Sequence, residues 1–98
     1  AEDIKNLPWK NYDIDIVIDA TGKFKTIKEL QNHIKAGAQK VILTAPFKDK
    51  SREAQNRSFV PGVNSHNYSL KMSVISGASC TTNALVPALK VLDQKYGI

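Results

Sequence analysis

Two apolar runs flank an amphipathic segment in the first half of the chain. Residues 13–20 and 40–45 are mostly apolar and rich in Ile and Val, a pattern typical of parallel strands buried on both faces. Between them, apolar positions recur every three or four residues, which indicates a helix with Thr26 as its N-cap and Gly37 at its end. The first half therefore predicts a β-α-β unit.

The second half predicts two more short strands and a final helix. Pro46 ends the preceding strand, and residues 47–57 are polar and irregular, which is typical of a surface loop. Residues 58–63 and 71–76 indicate strands joined by a turn at residues 64–67. A helix with one apolar stripe is expected to begin near Cys80 and to bend at Pro87, unless its first turn absorbs the proline.

This order of elements predicts an α/β fold with a largely parallel sheet. In such folds, ligands bind at the carboxyl ends of the strands. The loops at those ends contain Thr21 and Gly22, then Thr44 and Ala45, and finally Ser79 and Cys80. We expect the three loops to open onto one crevice.

The amino-acid composition limits the classes to which the protein can belong. The chain has 98 residues, of which 42% are hydrophobic, enough for one small core or part of a larger one. No apolar run approaches the roughly 20 residues that span a bilayer, and the single cysteine cannot form an internal disulfide. These features favour a soluble, cytoplasmic protein without a membrane partner. Because the chain begins with Ala1, we interpret it as an interior fragment.

The net charge of +5 suits an anionic partner. The densest basic stretch consists of Lys48, Lys50, Arg52 and Arg57. Acidic residues interrupt it, and no aromatic residues alternate with its charges as a single-strand platform requires. The pattern disfavours nucleic acid as a partner.

Cys80, the only thiol, lies where an apolar run meets the final helix. The N–H groups of a first helical turn lack intrahelical partners, and the positive end of the helix dipole favours a thiolate. Such a cysteine is expected to be nucleophilic near neutral pH. The alternative is a small buried side chain without chemistry, the commoner role of free cysteine.

The run Ser79-Cys80-Thr81-Thr82-Asn83 resembles the active-site segment of the phosphorylating glyceraldehyde-3-phosphate dehydrogenase family. Other segments that resemble the family follow its order: Asn6-Leu7-Pro8-Trp9, Asp15-Ile16-Val17-Ile18, Thr21-Gly22-Lys23-Phe24, His33-Ile34, Ala36-Gly37-Ala38, Lys40-Val41-Ile42, Ala45-Pro46 and Gly62-Val63-Asn64. The resemblance implies part of a Rossmann-type sheet. Residues 1–79 would complete a dinucleotide-binding domain, and residues 80–98 would open a catalytic domain with its first helix.

The resemblance also implies an activity, the oxidative phosphorylation of glyceraldehyde 3-phosphate in glycolysis. Cys80 would be the nucleophile, and the hydroxyls of Ser79 and Thr81 would bind phosphate beside it. The expected cofactor is NAD, with NADP left open, and no metal is implied. Family members are homotetramers.

Cofactor residues are implied in the same way. Thr21, Gly22 and Phe24 would lie beside the adenosine half of the dinucleotide, and Thr44 and Ala45 beside the nicotinamide ribose. Without the resemblance, a Thr-Gly pair is an ordinary turn and Phe24 a packed side chain.

Three positions depart from the family pattern. Ala20 replaces the usual serine, Glu2 stands about where the family commonly has an arginine that contacts the cofactor, and Ala84 replaces a second cysteine. The last change need not affect catalysis, because the attacking thiol is the earlier one.

Other functions stay open. Erythrose-4-phosphate dehydrogenase shares these segments. A cysteine hydrolase could use His33 or His66 as its base, although both histidines are expected at the surface, and the histidine of the resembled enzymes lies beyond Ile98. A non-enzymatic piece could bind RNA through the basic stretch. The chain alone is expected to be inactive.

Overall fold

The computed structural model describes residues 3–98, so Glu2 lies outside the described residues. Its helices and strands are β1 (Ile16–Asp19), α1 (Ile27–Lys35), β2 (Lys40–Leu43), α2 (Arg52–Asn56), β3 (Val74–Ser76) and α3 (Cys80–Tyr96). Short 3-10 turns lie at Ile4–Asn6, Trp9–Tyr12 and Ser65–Asn67.

The strands form one parallel sheet in the order β1-β2-β3, which confirms the α/β class. The strand register aligns buried residues in two rows across the sheet. One row is Val17, Val41 and Val74; the next, at the carboxyl ends, is Asp19, Leu43 and Ser76. Two polar side chains therefore lie buried at the edge of the sheet where ligands are expected.

Helix α1 supplies the cover for this buried face. Its Leu30 joins Val41, Leu43 and Val74 in a core from which solvent is excluded. The opposite face of β1 stays open, with Ile16 and Ile18 exposed. Burying one face only follows from the strand period of two, which points successive side chains to opposite sides.

Capping of α1 follows the sequence. The Thr26 hydroxyl oxygen accepts the Glu29 N–H at 3.1 Å, and its O–H donates to the Glu29 carboxylate at 2.8 Å. Ala36 forms the C-cap, and Gly37 follows with φ of +120°. A Cβ on Gly37 would lie 2.5 Å from the backbone nitrogen of Lys10, so only glycine lets the two segments approach.

Several sequence expectations about the middle of the chain are wrong. Residues 47–57 are not only loop, because Ser51 caps the short helix α2 by accepting the Ala54 N–H at 3.1 Å. Residues 58–63 form no strand; Ser58 makes a single bridge to Ser76 before the chain turns. Phe59 and Val60 are buried in a loop instead, which a strand-like pattern cannot distinguish.

Helix α3 begins at Cys80 as expected and continues through Pro87. It ends at Gly97, whose φ of +68° is the left-handed conformation of a helix C-cap. Within residues 3–98, no helix is both long enough and apolar enough to cross a membrane.

Candidate active site

Cys80 is the first residue of α3 and is exposed. Ser79 caps the helix: its Oγ accepts the Thr82 N–H at 2.9 Å and lies 2.7 Å from the Thr82 hydroxyl. The alternative of a buried side chain is therefore wrong, because Cys80 is exposed, whereas its role as a nucleophile stays a prediction.

The backbone around the sulfur offers free donors. The N–H groups of Cys80 and Thr81 have no acceptor among residues 3–98, while those of Thr82 and Asn83 are paired with Ser79. Unpaired N–H groups at a helix N-terminus attract negative charge. The start of α3 can therefore stabilise a thiolate, and also an anion that develops beside it.

The short loop between β3 and α3 is held in an unusual conformation. Ala78 has φ of +61°, a left-handed value that alanine seldom adopts. Buried Ser76 compensates, because its Oγ accepts the Ala78 N–H at 2.9 Å and donates to the Ala45 carbonyl oxygen. The Asn83 amide also donates to the carbonyl oxygens of Gly77, at 2.7 Å, and Ser79, at 2.8 Å.

Ser76 is a residue to which sequence reasoning assigned no role. Its hydroxyl connects the loop that carries Cys80 to the segment after β2, where Ala45 lies. The signal in the sequence was a polar residue at a position of the strand that alternation predicts to be buried.

Backbone hydrogen bonds bring the three strand ends side by side. The Thr44 N–H donates to the Asp19 carbonyl oxygen at 3.1 Å, and the Gly77 N–H donates to that of Leu43 at 3.0 Å. The loops that contain the candidate cofactor residues thus adjoin the loop that leads to Cys80. That all three open onto one crevice stays a prediction.

The candidate cofactor residues differ in environment. Thr21, Gly22 and Thr44 are exposed, whereas Phe24 and Ala45 pack partly against the core. A hollow of about 470 Å³ along β1 is lined by Thr21 and Phe24. Gly22 lines a second hollow, of about 610 Å³, whose charged lining residues are Lys23, Lys25, Lys48 and Glu29. The Thr21–Gly22 turn therefore faces two hollows.

A chain of buried and partly buried hydrogen bonds supports that turn. The Asp19 Oδ1 atom accepts the N–H of Thr21 at 3.0 Å and its hydroxyl at 2.8 Å. The Asp19 Oδ2 atom lies 2.9 Å from His33 Nε2, and the Trp9 indole N–H donates to His33 Nδ1 at 3.0 Å. Burial raises the pKa of Asp19, but the hydrogen bonds from His33 and Thr21 outweigh it and hold that pKa below its ordinary value.

The prediction that His33 lies at the surface is wrong, since it is only 4% exposed. It follows Leu30 by three residues and so falls on the buried face of α1. Its ring nitrogens are occupied by Trp9 and Asp19, which leaves neither for Cys80. His66 lies exposed in the Ser65–Asn67 turn, and no hydrogen bond joins it to Cys80 within residues 3–98.

Two further observations concern the basic stretch and metal binding. Arg57 of the basic stretch pairs with Glu53 at 3.2 Å. Across residues 3–98, His, Cys, Asp and Glu side chains form no group of three that could hold a metal ion.

Together these features define a Rossmann-like α/β protein with an exposed cysteine at the helix N-terminus after its last strand. No family model matches the chain. It is 50% identical over 99 residues to glyceraldehyde-3-phosphate dehydrogenase 2 of Bacillus subtilis, with the whole chain aligned. It is 49% identical over 98 residues to the chloroplastic glyceraldehyde-3-phosphate dehydrogenase A of Chlamydomonas reinhardtii, again over the whole chain. The chain belongs to the glyceraldehyde-3-phosphate dehydrogenase family.

A yeast relative agrees, since glyceraldehyde-3-phosphate dehydrogenase of Ogataea parapolymorpha is 48% identical over 96 residues, which cover 98% of the chain. The chain spans about a quarter of the length of these relatives: 28% of the bacterial, 25% of the algal and 27% of the yeast protein.

Proposed function

We propose that this chain supplies the catalytic cysteine and part of the cofactor site of an NAD-dependent, phosphorylating glyceraldehyde-3-phosphate dehydrogenase of glycolysis. The observation that carries the proposal is the exposed Cys80 at the first position of α3, beside two unpaired backbone N–H groups. Family membership supplies the reaction.

In the first step, the Cys80 thiolate attacks the carbonyl carbon of the aldehyde, and a carbon–sulfur bond forms while the carbonyl oxygen becomes negative. We propose that the free N–H groups of Cys80 and Thr81 stabilise that oxygen, because they adjoin the attacking residue at the start of α3. The carbon, still bound to Cys80, then loses a hydride and becomes a thioester.

A nicotinamide dinucleotide, when bound, accepts the hydride from this carbon. The residues present fit such a group. A Cβ on Gly22 would meet nothing within 4 Å, so a flat group can approach that backbone closely. We propose that Thr21, Gly22 and Phe24 hold the adenosine half and that Thr44 and Ala45 contact the nicotinamide ribose.

Inorganic phosphate completes the reaction by attacking the thioester carbon, which breaks the carbon–sulfur bond and returns the Cys80 thiolate. We propose that Ser79 and Thr81 bind this phosphate. Thr81 is exposed. When the Thr82 hydroxyl donates to Ser79 Oγ, the hydroxyl proton of Ser79 is free to donate to an anion.

The wider setting is part of the proposal. Residues 1–79 belong to the dinucleotide-binding domain and residues 80–98 begin the catalytic domain of a cytoplasmic homotetramer. Support comes from α3, whose Leu85 and Leu92 are 54% and 45% exposed and call for a covering surface.

The test replaces the proposed nucleophile in the native full-length protein. We expect Cys80→Ser to lower kcat by about a thousandfold or more, since the hydroxyl at neutral pH is a far weaker nucleophile than the thiolate, while NAD still binds. NAD reduction is followed by absorbance with glyceraldehyde 3-phosphate and phosphate, and NAD binding by calorimetry.

A double variant provides the matched control. Cys80→Ser with Ala84→Cys restores one thiol to α3 but places it one turn away from the helix N-terminus. It should remain inactive. Full activity in either variant would contradict the proposal, and a higher kcat/KM with erythrose 4-phosphate in the unaltered protein would replace the proposed substrate.

A further inference from the structure

Asp19 and His33 are buried polar residues that the proposed reaction does not use. Asp19 is 3% exposed and His33 is 4% exposed, and both line the hollow that also contains Thr21 and Phe24. Burying such groups is costly unless every donor and acceptor is paired. In residues 3–98, no buried side-chain nitrogen or oxygen lacks a partner.

We propose that Asp19 and His33 are positioning residues for the dinucleotide: fixed by Trp9 at one end, they hold the Thr21–Gly22 turn in the conformation that binds its adenosine half. This inference rests on the proposed function. It adds to it the residues that determine where the turn lies.

The carboxylate of Asp19 organises the turn directly. Its Oδ1 atom accepts both the N–H and the O–H of Thr21, which fixes the backbone and the side-chain rotamer of that residue. The Thr21 hydroxyl oxygen in turn accepts the Lys23 N–H at 3.2 Å. Gly22, between them, has φ of +73°. The shape of the whole turn therefore depends on one carboxylate.

Only one arrangement of protons satisfies the network. An indole N–H can only donate, so His33 Nδ1 must be the acceptor of the bond from Trp9. The ring proton is then on Nε2 and is donated to Asp19 Oδ2. Donation thus runs from Trp9 through His33 to Asp19, which must accept from both sides.

This polarity means that an amide cannot replace the carboxylate. In Asp19→Asn, the side chain offers one oxygen and one NH₂ group where two acceptor oxygens are needed. Whichever way the amide is turned, its NH₂ group then points at a donor group of either His33 or Thr21, and no hydrogen bond forms there. The exposed turn is expected to move so that the two donors separate, because α1 and β1 are packed in the core and move less easily.

A second substitution can restore the polarity. In Asp19→Asn with His33→Glu, the glutamate carboxylate accepts from the Trp9 indole and from the new amide. The amide oxygen stays free to accept both bonds from Thr21. The acceptor carboxylate is then at position 33 and the donor group at position 19, so that every donor again has an acceptor.

The experiment measures steady-state kinetics and NAD binding in the native full-length protein. We expect Asp19→Asn to raise KM and Kd for NAD about tenfold, with kcat and the KM for the aldehyde changed by less than about twofold. The double variant should recover to within about threefold of the unaltered protein. Val74→Ala, a core change on β3, should lower the melting temperature and leave KM for NAD unchanged.

Several results would overturn the inference: an unchanged KM for NAD in Asp19→Asn, an equal rise in Val74→Ala, or no recovery in the double variant. Should Asp19→Asn fail to fold, Trp9→Phe removes the outer donor and must still raise KM for NAD. Nitrogen-15 spectra of His33 must also show the proton on Nε2 in the unaltered protein. Failure of the proposed function is distinct, because the unaltered protein would then neither bind NAD nor oxidise the aldehyde.

Discussion

At the scale of single residues, two buried polar side chains shape the candidate site. Asp19 and Ser76 occupy the same cross-strand row, on either side of Leu43. Each accepts a backbone N–H two residues further along, from Thr21 and Ala78 respectively. A polar residue at the last position of a strand thus sets the loop that follows it, on the cofactor side and on the Cys80 side alike.

The lowered pKa of Asp19 makes stability depend on pH. The pKa is higher in the unfolded chain, so between the two values the unfolded state binds more protons. The stabilising contribution is complete above the unfolded-state pKa and is lost as the pH falls through the folded-state pKa. We expect the free energy of unfolding, measured by denaturant titration, to fall less steeply in acid for Asp19→Asn.

Asp15→Asn is the control for this prediction, because Asp15 is an exposed aspartate just before β1. It should keep the acid dependence of the unaltered protein. An acid limb that is equally steep in Asp19→Asn and in the unaltered protein would show that the hydrogen bonds to Asp19 do not favour its charged form.

At the scale of elements, the close approach of the Trp9–Tyr12 turn to the end of α1 fixes the position of Trp9. The Lys10 N–H donates to the Ala36 carbonyl oxygen at 3.0 Å, directly beside Gly37. The contact therefore holds Trp9 where its indole N–H donates to His33, the first bond of the hydrogen-bond network that ends at Thr21.

We expect Gly37→Ala to destabilise the protein by about 2–4 kcal/mol, from the positive φ and from the overlap with Lys10. Gly62→Ala is the matched control, because Gly62 also has a positive φ, of +82°, but a Cβ there would meet nothing within 4 Å. It should lower the free energy of unfolding by only about 1–2 kcal/mol. Chemical denaturation gives both values. Equal losses would show that the segments can separate at no cost.

The sequence predicts elements well where local signals determine them. Thr26 is the N-cap of α1 as predicted, because an N-cap depends on residues within one turn. The burial of His33 depends on Trp9, 24 residues away, and on Asp19, 14 residues away. No periodicity within α1 identifies such partners, although the helical spacing from Leu30 could have shown the buried face.

The candidate site, too, could be predicted from the sequence only where local signals determine it. The position of Cys80 at the start of a helix was predicted from the strand-to-helix junction. The left-handed Ala78 and its support by Ser76 were not, because alanine carries no sequence signal for a positive φ.

At the scale of the whole molecule, large apolar surfaces are left open. Ile16 and Ile18 on the sheet and Leu85, Val91 and Leu92 on α3 are exposed. The second edge of β1 has no paired strand within residues 3–98. The full-length assembly proposed above would cover these surfaces.

In the proposed reaction, Cys80 carries the substrate as a thioester. The most direct measurement mixes the native full-length protein with NAD and glyceraldehyde 3-phosphate in the absence of phosphate, quenches in acid and determines peptide masses. We expect an acyl adduct on the peptide that contains Cys80, which disappears when phosphate is added before the quench. Turnover with no adduct on Cys80, or with the adduct on another residue, would contradict it.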